Sequence, residues 1–242
     1  MTKWPDGVLV TVPGPWRDRS ELVRAIAKSN MDEAIFAGAL LMDVEHNRFA
    51  ELWIFDADPE LEQSMRLGSG NAFDPATLAA IADHGLAATL VVDGAREGLA
   101  ERLSFFTEAL RKAGGHGVKL EKSGVSHPWE RWRKLLDAGD PQSLYFALMV
   151  QVRWEDRLTV FGMSQLGLAD ASFPPQSDGG APHLLAQFNL YQWLEQPRLQ
   201  TGHTFSLSED APRFRLELVH DDRYPGNEVL TNPQGIWLAT PA

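Results

Sequence analysis

The apolar positions of this chain fall into short runs that alternate between two periods. VLVTV (8–12) is a β-branched run of strand length. After the corner PGPW, Asp18 caps a helix with Glu21 three residues on, as in a capping box, and Leu22, Val23, Ile26 and Ala27 give it an apolar face. AIFAGALLM (34–42) and FAELWIF (49–55) read as two strands joined by the polar turn VEHNR. A helix is predicted from Pro59 to about Leu67. GSGN breaks it, and FDPATLAAIADHG gives a second capped helix ending at Gly85. LAATLVVDG reads as a buried strand, 95–113 as a long helix and VKLEK as a further strand.

HPWERWRKLLDAG follows as a short amphipathic helix, with Trp129, Trp132, Leu135 and Leu136 on one face. SLYFALMVQVRW is predicted as a long apolar strand that turns through WEDR into LTVFGMS. GLADASF adds an edge strand, PPQSDGG a loop, and APHLLAQFNLYQWLEQ a helix apolar nearly all round, hence buried. In RFRLELVHD, Phe214, Leu216 and Leu218 alternate with Arg213, Arg215 and Glu217, the pattern of a strand with one wet face. IWLATP closes the chain. This order predicts an α+β fold of mixed or antiparallel sheets layered with helices. Two similar, tightly packed lobes are expected, 1–124 and 125–242, divided near Gly124.

Composition narrows the classes. The chain has 242 residues, 44% of them apolar, enough for a real core. It has no cysteine, so disulfides, cysteine-ligated zinc and thiol catalysis are excluded. The stretch MTKWPDGVLVTV is too short in apolar residues for a secretory segment, and no run approaches a membrane span, so a cytoplasmic protein is expected. The net charge of −11 argues against nucleic acid or an anionic membrane as partner and permits a basic protein. The acids are concentrated in 43–62, where Asp43, Glu45, Glu51, Asp56, Asp58, Glu60 and Glu62 stand against Arg48 alone. Some of this serves the helix: Asp58 before Pro59 reads as a cap, and Glu60 and Glu62 complement the dipole.

The inventory of reactive motifs is thin. GGHGVK (114–119) follows a helix and precedes a strand, the reverse of a phosphate-binding loop, and its glycines read better as a helix C-cap. PGPW has one glycine where a dinucleotide loop needs three. The nearest match to a nucleophile elbow, Gly162 to Leu166, lacks the closing glycine. There is no H-E-x-x-H, and the histidines are scattered. None of the six lysines has an acid two residues before it, which removes a restriction-type nuclease centre. The best polar cluster is VHDDRYPGNE, with His220, Asp221, Asp222 and Glu228. It could serve a hydrolase acting on a small molecule or peptide, or hold a hard cation, but a polar loop after a strand explains it as well.

The chain is richer in residues that anchor interfaces. Of eight tryptophans, Trp53, Trp129, Trp132, Trp193 and Trp237 lie inside periodic elements, whereas Trp4 and Trp16 sit beside proline in loops. PGPWRDRSE, FAGALLMD, GMSQLGLAD, FNLYQWLEQ, GHTFSL and NPQGIW together resemble bacterial immunity proteins of polymorphic-toxin and type VI secretion systems. The likeness is to the α+β group paired with restriction-endonuclease-fold toxins. The resemblance implies a non-enzymatic inhibitor without cofactor or metal, whose partner is a cognate toxin with a basic nuclease domain. From charge and aromatic content, the expected contacts are Trp16, Asp56, Asp58, Glu60, Glu62, Asp221, Asp222, Tyr224 and Glu228. A hydrolase built on the His220–Glu228 loop and an adaptor or chaperone for a secreted effector remain the alternatives.

Overall fold

The computed structural model describes residues 5–31, 33–175 and 180–242; Trp4 and most of the PPQSDGG loop lie outside the described residues. The chain divides into two compact units, Pro5–Ala147 and Leu148–Ala242. The division is therefore not at Gly124. That glycine turns the chain, at φ +74°, between two strands of one sheet, and the hydrogen bonds of that sheet hold 126–127 in the first unit.

The first unit runs β1 (Val8–Gly14), α1 (Arg19–Asn30), β2 (Ala34–Ala37), β3 (Leu40–Asp43), β4 (Arg48–Asp56), α2 (Leu61–Gly68) and α3 (Pro75–Ala82). It continues with β5 (Leu86–Val92), α4 (Leu99–Lys112), β6 (Val118–Leu120), β7 (Ser126–His127), α5 (Trp129–Asp137) and α6 (Pro141–Leu148). Its strands form one sheet in the order β2-β3-β4-β5-β1-β6-β7, antiparallel at every pairing. Side chains alternate across a strand. Register therefore places Val8, Val10, Val12, Leu90, Leu52, Leu41 and Phe36 on one face, and all are buried. Helix α1 lies against β2 and α4, and α4 against β1, β3 and β5. On the other face Ala87 joins Leu61, Met65, Phe73 and Ile81 in a cluster that seats α2 and α3.

The helix caps follow the sequence signals. The Asp18 carboxylate accepts from the Glu21 N–H at 2.9 Å, and Asp74 accepts from Thr77 at 2.9 Å with Pro75 in the first turn. At the end of α4, Gly114 at φ +104° and Gly115 return N–H bonds to Arg111 and Leu110, the C-cap expected of GGHGVK. The long helix begins at Leu99 rather than 95, because Gly98 adopts a left-handed conformation at its start. The apolar run 34–42 is not one strand. It is a hairpin in which Gly38, at φ +59°, makes the turn and Ala37 pairs with Leu40. SLYFAL is not strand either. Asp140 accepts from the Ser143 N–H and hydroxyl, Pro141 opens the turn, and the segment coils into α6.

The second unit comprises β8 (Val150–Trp154), β9 (Arg157–Phe161), a 3₁₀ turn at Met163–Leu166, β10 (Asp170–Phe173), α7 (Ala181–Glu195), β11 (Thr204–Phe205), β12 (Phe214–Val219) and β13 (Ile236–Pro241). Sheet order is β11-β12-β13-β10-β9-β8, with β10 and β13 parallel and the rest antiparallel. GLADASF thus forms a central strand, not an edge, and all four residues of β10 are buried. Helix α7 lies against β9 and β10 and is apolar around its circumference, as expected. Phe173 packs on Phe188 and Phe214 at ring-centre distances of 5.4 Å, and Phe205 closes on Phe188 at 5.0 Å. The structure is α+β throughout.

Candidate partner-binding face

Strands β2, β3 and β4 are two successive hairpins, and polar contacts fix both, buried at Asp43 and exposed at Gly38. Asp43 is fully buried, accepts from Arg48 Nε at 3.0 Å and Nη2 at 2.6 Å, and lies 3.1 Å from His46 Nδ1. Burial raises its carboxyl pKa, but the bonds from Arg48 and His46 outweigh this and hold it below the ordinary range. Arg19 donates to the Gly38 carbonyl and lays its guanidinium 4.5 Å above the Phe36 ring. The first set closes the β3–β4 hairpin on itself, and the Arg19 contacts tie the β2–β3 hairpin to the start of α1.

The register so fixed places Ile35, Met42 and Phe49 directly across from one another on the face opposite Leu41 and Leu52. Ile35 is 44% exposed and Phe49 65% exposed, with Leu40, at 37%, on the same face. Leu40 pairs with Glu51, whose carboxylate accepts from the Trp53 indole N–H at 3.0 Å. A row of large apolar side chains across three strands, exposed at both ends and half-buried at Met42, is the kind of patch that marks an interaction surface. Sequence reasoning did not single out Ile35 or Phe49. Their signal was that AIFA (34–37) and FAELWIF (49–55) are each apolar at both odd and even positions, more than one buried face requires.

Acids stand at both ends of β4. Glu45 is exposed in the turn before it, Asp56 is exposed as its last residue, and Asp58 and Glu60 are exposed after it. Asp58 also works locally, accepting from the Glu60 N–H at 2.9 Å in the turn before α2, but it is not the helix cap expected of it: the helix begins at Leu61, two residues beyond Pro59, and Glu60 holds the N-cap position without a side-chain bond. Its own N–H donates to His84 Nε2 at 3.1 Å, and His84 donates from Nδ1 to the Ile81 carbonyl. Glu62 is half-buried and paired with Arg66 at 3.3 Å. Asp43 is withdrawn from the acidic segment altogether by its burial.

The remaining expected contact residues separate sharply. Trp16 is 1% exposed, with its indole N–H donating to the Ala113 carbonyl at 2.8 Å, so it is a core residue and not a surface anchor. Asp221 is likewise buried. It makes a forked pair with Arg223 at 2.8 Å on both oxygens and accepts from the Asn232 N–H at 2.7 Å. Arg223 also bonds Asp170 and stacks 3.9 Å over Phe161. Burial pushes the Asp170 carboxyl up to about 6 against the pull of Arg223, while Asp221 is held low by its bonds despite burial. Tyr224 is half-buried against Trp154 and Phe161, at 5.3 and 5.8 Å. Asp222 and Glu228 are exposed, and Asp222 lies 3.6 Å from His220 Nε2 in solvent. The 220–228 loop therefore commits its central carboxylate to structure. Among the described residues no group of three or more His, Asp or Glu is placed to hold a metal ion.

No protein-family model, curated protein or solved structure gives a significant match to this chain. Among the described residues no helix is long and apolar enough to cross a membrane.

Proposed function

We propose that this chain binds and neutralises a cognate secreted antibacterial toxin, a nuclease with a basic face, by protein–protein contact and without chemistry of its own. The observation that carries the reading is the row Ile35–Met42–Phe49, exposed at both ends and half-buried at Met42, with Glu51 beside it on the same face and Glu45, Asp56, Asp58 and Glu60 exposed at the ends of β4. The resemblance to immunity proteins of type VI secretion and polymorphic-toxin systems supplies the class of partner. Apolar side chains desolvated at the centre of a contact supply affinity, and rim charges steer a basic partner and set its association rate. A DNA-cutting protein must present cations to phosphate, so an acidic rim complements it. With β4 about 26 Å long at roughly 3.3 Å per residue, the face spans a fair share of a standard interface.

The test is purification of the tagged chain from its source cells under toxin-expressing conditions, followed by co-expression with whatever co-elutes stoichiometrically. A nuclease-like partner whose toxicity is suppressed by the wild-type chain, and not by Phe49→Asp, supports the reading. A co-purifying metabolite or metal with no protein partner, or protection unchanged by Phe49→Asp, overturns it.

A further inference from the structure

A basic cleft in this acidic protein lies on other elements. Between the C-terminal end of α4 and the exposed side of α5 there is an open cleft of about 920 Å³, lined by Arg111, Trp129, Arg131, Arg133, Lys134 and Leu135. Four cations face it against two acids, Glu130 and Asp137, in a chain whose net charge is −11. Arg111 is held in a forked pair by Glu108 at 2.6 and 2.7 Å, which orders its guanidinium at the wall. The Trp129 indole is pinned by donation to the Gly115 carbonyl at 2.7 Å, so its ring is a fixed part of the lining. Arg131, Arg133 and Lys134 are exposed. The sequence of α5 explains the arrangement: Trp132 and Leu136 turn into the core, and the cations fall on the opposite side of the same turns.

We propose that this cleft binds a short acidic peptide segment carrying an apolar side chain, presented by a second protein. The cations select carboxylates, and Trp129 and Leu135 offer an apolar bed between them. A long polyanion is a poor occupant, because beyond the cleft it meets a surface of the opposite preference, with 33 acids against 22 bases in the whole chain. A short segment confined to the cleft meets a lining in which Arg111, Arg131, Arg133 and Lys134 outnumber Glu130 and Asp137, with Glu108 paired to Arg111. The pre-ordered Arg111 and Trp129 reduce the ordering cost of binding. This site is independent of the β2–β4 face and stands or falls separately from it.

The experiment is fluorescence anisotropy with a labelled peptide of about 10 residues, roughly 33 Å when extended, in which Asp and Glu flank a central Leu-Phe pair. A Lys-for-acid counterpart and a single-stranded oligodeoxynucleotide of equal charge serve as comparisons. The expected result is saturable binding of the acidic peptide that weakens with salt, falls about tenfold or more in Arg133→Glu/Lys134→Glu, and shifts the Trp129 indole resonance in a nitrogen–proton spectrum. Both substituted side chains are exposed, so the fold is retained, and unchanged circular dichroism checks this. No saturable binding, binding unaffected by the double charge reversal, or tighter binding of the oligonucleotide would each overturn the proposal.

Discussion

Trp16 donates its indole N–H to the carbonyl of Ala113, 97 residues further along the chain, and so ties the β1–α1 corner to the end of α4. The ring folds back over Gly14, where an added Cβ would lie 2.5 Å from the indole, and the Trp16 carbonyl leaves no room for a Cβ at Gly85. PGPW is therefore a mount for a core tryptophan. Trp16→Ala is expected to cost about 3–5 kcal/mol by cavity formation, and Trp16→Phe about 1–3 kcal/mol through the orphaned carbonyl. Gly14→Ala should destabilise by about 1–3 kcal/mol by overpacking against the ring. Chemical denaturation of the three variants checks the order.

The partner face makes a contrasting prediction. Phe49→Asp and Ile35→Asp alter exposed side chains, so stability should move by no more than about 0.5 kcal/mol. Binding of the toxin should weaken by about 2 kcal/mol or more for Phe49→Asp, the scale of an interface anchor. Titration calorimetry beside thermal melts separates the two effects. A variant that loses binding only because it unfolds would count against the face.

Asp56→Lys with Asp58→Lys tests the acidic rim. Association with a basic partner should slow at low salt, and the difference from wild type should shrink as ionic strength shortens the screening length to about 8 Å near 0.15 M. Stopped-flow measurement at two salt concentrations reads this directly. Equal rates for both proteins at low salt would remove these residues from the interface.

Arg223 is the keystone of the second unit. It holds Asp170 on β10 and Asp221 on the loop after β12, both buried. Arg223→Met leaves two buried carboxylates without their cation and is expected to cost about 3–5 kcal/mol near neutral pH. Because protonation relieves a carboxylate so stranded, that loss should shrink as the pH is lowered. Urea denaturation at two pH values decides it.

His127 gives the first unit an acid-sensitive point. Its Nε2 donates to the Ala147 carbonyl at 2.9 Å, its ring stacks 5.7 Å from Trp132, and Nδ1 has no hydrogen-bond partner among the described residues. Burial pushes its pKa down from 6.5 to about 4, with the Ala147 carbonyl pulling the other way and Arg131 adding a little. A histidine neutral when folded and protonated when unfolded contributes fully above about 6.5. Its contribution is lost as pH falls from there towards 4, about 3 kcal/mol in all. His127→Gln keeps a donor for Ala147 and cannot titrate. Its stability should exceed that of wild type only in the acidic range, and parallel curves for the two proteins would refute the assignment.

Local signals carried much of this architecture. Asp18 and Asp74 announced their helices because a cap and its target lie three residues apart, and α7 announced its burial by being apolar all round. What failed were segments whose state is decided from outside. A hairpin at Gly38 hides in an apolar run, since one glycine does not show where the partner strand lies. SLYFAL takes its helical start from Asp140 and Pro141, which the apolar run that follows overshadows. GLADASF became central only because β13, far along the chain, pairs with it. The candidate site shows the same division. Charge at Asp56 and Asp58 is a property of the residue, and exposure follows. The burial of Asp221 depends on Arg223 and on Asp170, 53 residues from that arginine. The exposure of Phe49 depends on which sheet face the helices leave open.

The position of β13 has a consequence for biosynthesis. It lies between β12 and β10, so the second sheet has no continuous hydrogen-bonded ladder until residues 236–241 have been made. The first sheet is complete once 127 is out. On the ribosome the first unit can therefore settle early, while β8–β12 wait with open strand edges for the last strand to arrive. A stall or truncation before Ile236 would release a chain whose first half is native and whose second half is an aggregation hazard.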